Sequence, residues 1–238
     1  MSTEPHLATL NLSFAVGDAE ENVRENFRLV AKEFGVETDR FVFTDQKHTA
    51  NIRVVTEEDA GKGFTRKRDF SYIDGFVTNV PGLLLSVFSA DCVPLLFVDP
   101  VNRAIGAAHS GWKGTADRIG AEVLRVMEEE YGTKPADVLC GIGPSICVDC
   151  YEVSEDVASV FRKRFADSIG EMLFPGKEEG KAQLDLWAAN RRILLDADVR
   201  EENIETTDLC TCCNPDLLFS HRASTGRRGS LATFLMLK

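Results

Sequence analysis

The chain has 238 residues, of which 44% are hydrophobic and 27% are charged, values typical of a globular protein with a sizeable core. Its formal net charge of -11 at pH 7 argues against a nucleic-acid-binding surface, because phosphate binding needs concentrated lysine and arginine. No stretch approaches ~18 consecutive apolar residues, and no basic region followed by an apolar one begins the chain. Neither a transmembrane helix nor a signal peptide is therefore expected.

The chain contains seven cysteines, several of them in clusters. Without a signal peptide, the expected location is the reducing cytoplasm, where disulfides are rare. Clustered cysteines in such a protein more often bind metal or take part in catalysis.

Four segments have the apolar periodicity or the length of a helix. They are residues 19–34, 116–131, 155–165 and 185–197. In the first, apolar residues recur at spacings of three or four, and Gly35 is suited to end the helix.

Ten further segments are predicted strands, two of which (83–89 and 93–98) are apolar on both faces and therefore suited to a buried sheet. The ten segments are residues 9–14, 40–43, 51–55, 74–79, 83–89, 93–98, 104–109, 138–142, 204–209 and 231–237. Residues 57–69 are polar, which predicts a mobile loop or a lid. Strands and helices are interspersed without a repeat, which predicts one α/β domain over residues 1–238.

Two histidines and one cysteine form a candidate metal site. His109 follows Cys92 by 17 residues, the length of one strand, a turn and the return strand. If those strands pair, both side chains lie near one end of the sheet, and His48 can close the site from another loop. Zinc accepts histidine nitrogen and cysteine thiolate together, and three protein ligands plus water are typical of a catalytic site.

Two other interpretations of these residues stay open at this point. Cys92 can be a small buried apolar residue, with each histidine a hydrogen-bonded loop residue. Alternatively, Cys92 can act as a nucleophile without metal, with His109 as the base that generates the thiolate.

The remaining clustered cysteines form two C-x-x-C pairs, Cys147/Cys150 and Cys210/Cys213. That geometry suits a structural zinc, but 60 residues separate Cys150 from Cys210, against ~15–20 in compact zinc modules. Loop and core cysteines are therefore the favoured interpretation, with a four-cysteine site as the alternative.

Two segments are candidates for binding an anion. The turn from Gly111 to Gly114 precedes a helix, whose N-terminus attracts anions, and Lys113 adds positive charge. Residues 220–229 concentrate basic side chains, among them Arg222 and Arg227, which suit a phosphate or carboxylate. A strand-to-helix turn and a solvated loop explain the same segments equally well.

Ordered motifs along almost the whole chain resemble one known family, described as laccase-domain proteins or multicopper polyphenol oxidases. Its other labels are purine nucleoside phosphorylase/adenosine deaminase and peptidoglycan editing factor. The segments that carry the resemblance are Thr9-Leu10-Asn11-Leu12, Gln46-Lys47-His48, Asp74-Gly75-Phe76-Val77-Thr78, Ala90-Asp91-Cys92-Val93-Pro94, Ala108-His109-Ser110-Gly111-Trp112-Lys113-Gly114, Gly143-Pro144-Ser145-Ile146, Cys150-Tyr151-Glu152-Val153, Asp185-Leu186-Trp187-Ala188, Cys213-Asn214-Pro215 and Gly226-Arg227.

The resemblance implies that His48, Cys92 and His109 are zinc ligands. It implies an α/β (α+β) sandwich of two packed mixed sheets flanked by helices, related to certain cysteine-hydrolase toxins. The implied activities are phosphorolysis of adenosine, inosine, guanosine and methylthioadenosine, and deamination of adenosine. The candidate catalytic residues are Cys92, His109 and Asp91, and the candidate substrate-binding residues are Asn11, Gln46, Lys113, Arg222 and Arg227.

The chain departs from the family pattern in three places. Members begin with an additional strand and an arginine-containing segment, so an anion-binding arginine is expected to be missing here. His221 stands where a tyrosine is usual, and Cys212 replaces another aromatic residue. Both replacements are expected to alter substrate preference.

Four functions remain to be compared. The leading one is a zinc-dependent purine nucleoside enzyme, and the second is an amidohydrolase that edits cell-wall precursors with the same residues. A copper polyphenol oxidase is less favoured, because four histidines are few for a multicopper cluster. A binding protein without turnover is the fourth. The expected partners are purine nucleosides and phosphate, with a homodimer as an open option and no nucleic acid or membrane.

Overall fold

The computed structural model describes residue 2 and residues 4–238. The α-helices of this part are α1 (Glu20–Phe34), α2 (Trp112–Ala116), α3 (Ile119–Tyr131), α4 (Glu155–Arg164) and α5 (Leu186–Asp196). Its strands are β1 (Phe41–Phe43), β2 (Ile52–Val54), β3 (Gly75–Thr78), β4 (Leu84–Ser89), β5 (Val93–Asp99), β6 (Ala104–Ser110), β7 (Leu139–Ile142), β8 (Glu152–Ser154), β9 (Leu173–Pro175), β10 (Lys181–Leu184), β11 (Ile204–Thr206) and β12 (Leu231–Leu235). Among the described residues, no helix is long and apolar enough to cross a membrane.

A six-stranded mixed sheet, in the order β11-β7-β5-β6-β3-β2, forms the centre of the molecule. Side chains alternate along its central strands: Leu95 and Ala108 face one core, whereas Ile105 and Ala107 face another. The first core is completed by helices α3 and α5. Both faces are covered, so the central strands contain little polar surface, as their apolar sequences predict.

A second mixed sheet, β1-β4-β12, packs on the other face and completes the sandwich. Its far side is covered by α1, where Phe27 is fully buried against Phe41 and Phe43. A third, antiparallel sheet, β8-β10-β9, lies beside α4. The mixed α/β fold and the packing of two sheets are confirmed, and the third sheet was not predicted because its strands are only three or four residues long.

The predicted strand over residues 9–14 is wrong. The chain makes a turn there, in which the Asn11 amide N–H bonds to the Thr9 carbonyl, followed by one backbone bond from Leu12 to Ser230. The predicted helix over 116–131 is also interrupted, because Arg118 adopts a left-handed φ of 60° that separates α2 from α3.

The segment 57–69, predicted to be a mobile loop, is packed against the body of the protein. It begins with a short 3-10 helix, Glu57–Asp59, capped by reciprocal bonds between Thr56 and Asp59. Asp59 is buried and binds Arg53 at 2.9 Å and Lys62 at 2.8 Å. A buried ion pair of this kind anchors the segment, so the interpretation as a lid is not supported.

Candidate metal centre

Antiparallel pairing of the two central strands brings Cys92 and His109 together. Pro94 of β5 pairs with His109 near the end of β6, and Cys92 immediately precedes β5. The two side chains therefore lie at the same edge of the sheet, as their spacing predicts. Cys92 is half-buried and His109 is buried.

His48 reaches the same edge from the loop between β1 and β2. Its backbone has a left-handed φ of 60°, unusual for a residue with a side chain. The His48 Nε2 atom lies 3.9 Å from the Cys92 sulfur, and the two imidazole rings meet edge to face with centroids 4.8 Å apart. The donor atoms of all three residues lie within 4.8 Å of one another.

Asp74, at the start of β3, organises this arrangement. Its fully buried carboxylate accepts the backbone N–H groups of Lys47, His48 and Thr49, at 2.9–3.0 Å. It also accepts Nδ1–H of His109 at 2.9 Å. One carboxylate thus shapes the His48 loop and leaves Nε2 of His109 free to face Cys92, a role typical of residues that orient metal ligands.

Asp74 was not among the predicted site residues. The feature of the sequence that could have identified Asp74 is its position as the first residue of the Asp74-Gly75-Phe76-Val77-Thr78 motif, immediately before a buried strand. Burial raises the pKa of this carboxyl, but hydrogen bonds from His109, Lys47 and Thr49 lower it to about 2. Asp74 is therefore ionised throughout the range in which proteins usually fold.

The charges of Cys92 and His109 depend on each other. Burial raises the pKa of the Cys92 thiol, but hydrogen bonds from His109 and His48 lower it to about 6. Burial lowers the pKa of His109, yet its hydrogen bonds to Asp74 and Cys92 raise it to about 9. In the metal-free protein at neutral pH, the pair is a thiolate beside an imidazolium.

A glycine leaves the space in which the donors converge. A Cβ atom on Gly111 would come within 2.6 Å of His48 Cδ2 and 3.1 Å of the Cys92 sulfur. Behind it, Ser110 Oγ donates to Asn190 of α5 at 2.9 Å, which ties the end of β6 to the helical layer. The residue types and this space fit a metal: two imidazole nitrogens and a thiolate suit zinc and also copper.

Asp91 lies in the turn before Cys92, with a left-handed φ of 88°. Its two carboxylate oxygens accept hydrogen bonds of 2.7 Å from the Thr211 hydroxyl and from the Arg222 backbone N–H. The carboxylate therefore joins the turn beside Cys92 to the C-terminal loop. Its predicted catalytic role stays a prediction.

Two predicted substrate-binding residues have side chains already engaged within the protein. Asn11 is buried and donates to Asp18 and the Ser13 carbonyl, while its amide oxygen accepts the N–H groups of Ser13 and Ser230. Gln46 clamps the backbone of Phe88 with both its donor and its acceptor. These contacts position two loops of the chain, and contact with substrate stays a prediction.

The three predicted cationic residues all lie on the surface of the protein. Lys113 is exposed, over the ring of Trp112. The Arg222 guanidinium donates to the carbonyls of Cys150 and Glu152. Arg227 is exposed and lines a cavity of about 330 Å³. Their roles in substrate binding stay predictions.

Two residues beside the site were missed. Arg228 lines the same cavity; burial lowers its pKa, and the nearby charges of Asp91 and Cys92 offset this only in part. Its Nε atom is buried without a hydrogen-bond partner among the described residues. Tyr151 lies under Arg222, and burial and then the Cys92 charge raise its pKa. The sequence signal for both was a family motif: Tyr151 lies within Cys150-Tyr151-Glu152-Val153, and Arg228 directly follows Gly226-Arg227.

A family model described as multi-copper polyphenol oxidoreductase laccase matches residues 1–238. The chain belongs to this family. Purine nucleoside phosphorylase YlmD of Bacillus subtilis strain 168 is 36% identical over 231 residues, which are 97% of this chain and 82% of that protein. Adenosine deaminase RL5, from an unknown prokaryotic organism, is 32% identical over 214 residues, which are 90% of this chain and 81% of that protein.

A solved structure has the same architecture. The crystal structure of hypothetical protein YfiH from Bacillus licheniformis matches with a TM-score of 0.95 and 35% sequence identity, covering 100% of this chain and 90% of that one. The family assignment made from the motifs is thus confirmed, and so is the fold expected from it.

Proposed function

We propose that this laccase-family protein is a zinc-dependent purine nucleoside enzyme. The proposed reactions are phosphorolysis of adenosine, inosine, guanosine and methylthioadenosine, and deamination of adenosine. The observation that carries the proposal is the convergence of His48, Cys92 and His109, with Asp74 fixing the tautomer of His109. Relatives named purine nucleoside phosphorylase and adenosine deaminase support the substrate class.

His48 and His109 would hold zinc through Nε2, and Cys92 would hold it through Sγ. When bound to three protein ligands, zinc supplies a Lewis acid and lowers the pKa of a water in its open position to near 7. Asp74 keeps the proton of His109 on Nδ1, so that the lone pair of Nε2 is available to coordinate the metal. Asp91 anchors the turn beside Cys92 to the C-terminal loop and so limits movement of the thiolate.

Two residues near Cys92 are suited to contact phosphate and a purine base. In phosphorolysis, a phosphate oxygen bonds to C1′ of the ribose while the bond from C1′ to the base breaks, and the base takes up a proton. Arg228 has an unpartnered buried Nε that can bind phosphate. Tyr151 is a half-buried aromatic residue near Cys92, with Arg222 over its ring, and an aromatic side chain there is suited to pack against a purine.

A second function is favoured by the lowered pKa of Cys92. A thiolate beside the His109 imidazolium is the arrangement of an activated cysteine nucleophile, which suits an amidohydrolase. Attack on an amide carbon would form an acyl-cysteine and release an amine that takes its proton from His109. Water would then release the acid and the free thiol. This reaction needs no metal at the same residues.

The decisive experiment combines metal content with adenosine turnover in wild type, Cys92→Ala and Cys140→Ala. Cys140 is a buried cysteine on β7 and serves as the matched control. The proposal expects Cys92→Ala to lose one zinc per chain and at least ~100-fold in formation of adenine or inosine, while Cys140→Ala retains both. Chromatography separates adenine from inosine and so separates phosphorolysis from deamination.

Three results would contradict the proposal. Cys92→Ala could retain all its zinc and turnover. The wild type could release an amino acid from a cell-wall precursor while leaving every nucleoside unchanged, which would favour the amidohydrolase. The purified protein could instead contain copper and show the visible absorption of a copper–thiolate site, which would favour an oxidase.

A further inference from the structure

A second group of sulfur atoms converges away from His48. Strands β7 and β11 are parallel, with Ile142 paired to Thr206, so the chain leaves both strands at the same edge of the sheet. The two following loops are joined by backbone bonds between Ser145 and the segment 209–211. The Sγ atoms of four cysteines on these loops, Cys147, Cys150, Cys210 and Cys213, lie within 4.8 Å of one another.

The sulfur separations fit a tetrahedral ion. Cys150 lies 3.4 Å from Cys213, and Cys147 lies 3.9 Å from Cys213. A Zn–S bond of ~2.3 Å places sulfurs on a tetrahedron about 3.8 Å apart. A disulfide bond needs only ~2.05 Å, and all seven cysteines of the chain are free thiols.

Backbone hydrogen bonds stabilise negative charge on one of these sulfurs. The N–H groups of Cys147 and Cys213 both donate to the Cys210 sulfur at 3.3 Å. These backbone donors are suited to a thiolate sulfur, and a cation at the centre would favour thiolate on all four residues.

We propose that Cys147, Cys150, Cys210 and Cys213 bind a structural zinc ion, separate from the metal at His48, Cys92 and His109. Four thiolates close the coordination shell, so this zinc has no open position for substrate. Its place in the chain fits a structural role: each loop contributes one C-x-x-C pair, and the ion joins the two loops across 60 residues of sequence.

The loops joined by this zinc also hold the turn beside Cys92. The Ile146 N–H donates to the Asp91 carbonyl, and the Thr211 hydroxyl donates to the Asp91 carboxylate. The Arg222 guanidinium donates to the Cys150 carbonyl at 2.9 Å. The four-cysteine zinc therefore positions Asp91, and through it the start of β5, without contact to the reacting atoms.

The test is zinc stoichiometry of the full-length protein by elemental analysis, in wild type and three variants. We expect two zinc ions per chain in wild type, one in Cys213→Ser, one in Cys92→Ala, and two in Cys212→Ser. Cys212 is the matched control, because it lies between two of the proposed ligands but outside the converging set. Cobalt bound to Cys92→Ala should give the absorption of a four-thiolate site, and this readout remains usable if Cys213→Ser does not fold.

Three outcomes would overturn the proposal. Wild type and Cys213→Ser could contain the same amount of zinc. Cobalt-loaded Cys92→Ala could lack thiolate-to-cobalt absorption. Mass spectrometry of freshly purified, metal-free protein could find a disulfide bond between Cys150 and Cys213. If that bond persisted after incubation with a reductant and zinc, the two residues could not be zinc ligands.

Discussion

At the scale of single residues, the candidate site depends on side chains outside the proposed set of metal ligands. Asp74 accepts the backbone of the His48 loop and the Nδ1–H of His109. Gly111 leaves the space between His48 and Cys92. These two residues determine where the three donors lie, so changes to them test the site without removing a donor.

Asp74→Asn should weaken zinc binding at the His48 site by about 10–100-fold. The asparagine amide would turn its NH₂ group toward N–H groups whose hydrogen bonds the Asp74 carboxylate now accepts. The His48 loop and the His109 ring would therefore lose their orientation. Zinc affinity is measured by competition with a chromogenic chelator. Asp167→Asn, at an exposed aspartate, should bind as wild type does, and equal affinity in both variants would show that Asp74 does not orient the ligands.

Gly111→Ala should displace His48, because the new Cβ would lie 2.6 Å from its Cδ2 atom. We expect loss of one zinc per chain and of nucleoside turnover by ~10-fold or more, with an unchanged far-ultraviolet circular dichroism spectrum. Gly170→Ala is the control, since no atom lies within 4 Å of a Cβ built there. Full activity in Gly111→Ala would mean that His48 is not held where the structure shows it.

At the scale of elements, the polar composition of a segment does not show how firmly it is held to the protein. The segment 57–69 is polar in composition, yet Asp59 is buried with Arg53 and Lys62. Lys62 also binds Asp69, whose side chain is 64% exposed. The buried Asp59 carboxylate should therefore contribute much more to stability than the exposed one.

Asp59→Asn should lower the free energy of unfolding at pH 7 on the order of 3 kcal/mol, because it leaves Lys62 buried without this partner. The folded protein has a lowered Asp59 pKa: burial raises it, but Lys62, Thr56 and Arg53 lower it more. The stabilisation is thus complete above the unfolded pKa of ~3.9 and disappears as pH falls through the lower folded value.

Urea unfolding of the two proteins between pH 7 and pH 3 checks this expectation. The difference between wild type and Asp59→Asn should shrink as the solution becomes acidic. Asp69→Asn is the control, and loss of its exposed pair should change the free energy of unfolding much less than loss of Asp59 does. A difference for Asp59→Asn that stays constant with pH would contradict an ionic origin.

At the scale of the whole molecule, the sandwich brings distant parts of the chain to one edge. His48 and Cys92 lie in loops between strands of the region from β1 to β6, and His109 lies on β6 itself. The last quarter of the chain supplies Thr211, Arg222 and Arg228 near Asp91 and Cys92. That one domain spans residues 1–238 stays a prediction, although the family model matches this same range. Ligands at this edge should stabilise the fold as a whole.

Zinc should raise the melting temperature of metal-free protein on the order of 10 °C. At a free concentration ~1,000 times its Kd, a ligand bound only by the folded state contributes about 4 kcal/mol, and each kcal/mol corresponds to ~2–4 °C for a chain of this size. Differential scanning fluorimetry with zinc, with magnesium and with chelator measures the shift. Magnesium should give none, and an equal shift with magnesium would indicate a nonspecific ionic effect.

The amino-acid sequence by itself determined the family, the mixed α/β class, the long helix α1 and the buried central strands, and it predicted the three candidate metal donors. These features are local or are carried by ordered motifs: apolar residues at spacings of three or four predict α1, and the 17 residues from Cys92 to His109 match a strand, a turn and its return. Each depends on neighbours within a short stretch of chain.

Only the tertiary structure decided the contacts between distant segments. It placed Asp74 against His109 and the His48 loop, engaged Asn11 and Gln46 with backbone, and replaced the strand over 9–14 by a turn. It also brought the two C-x-x-C pairs together, through the parallel pairing of β7 with β11. Such contacts depend on which strands pair and in which direction, and a pattern of residues within one segment carries no record of that choice.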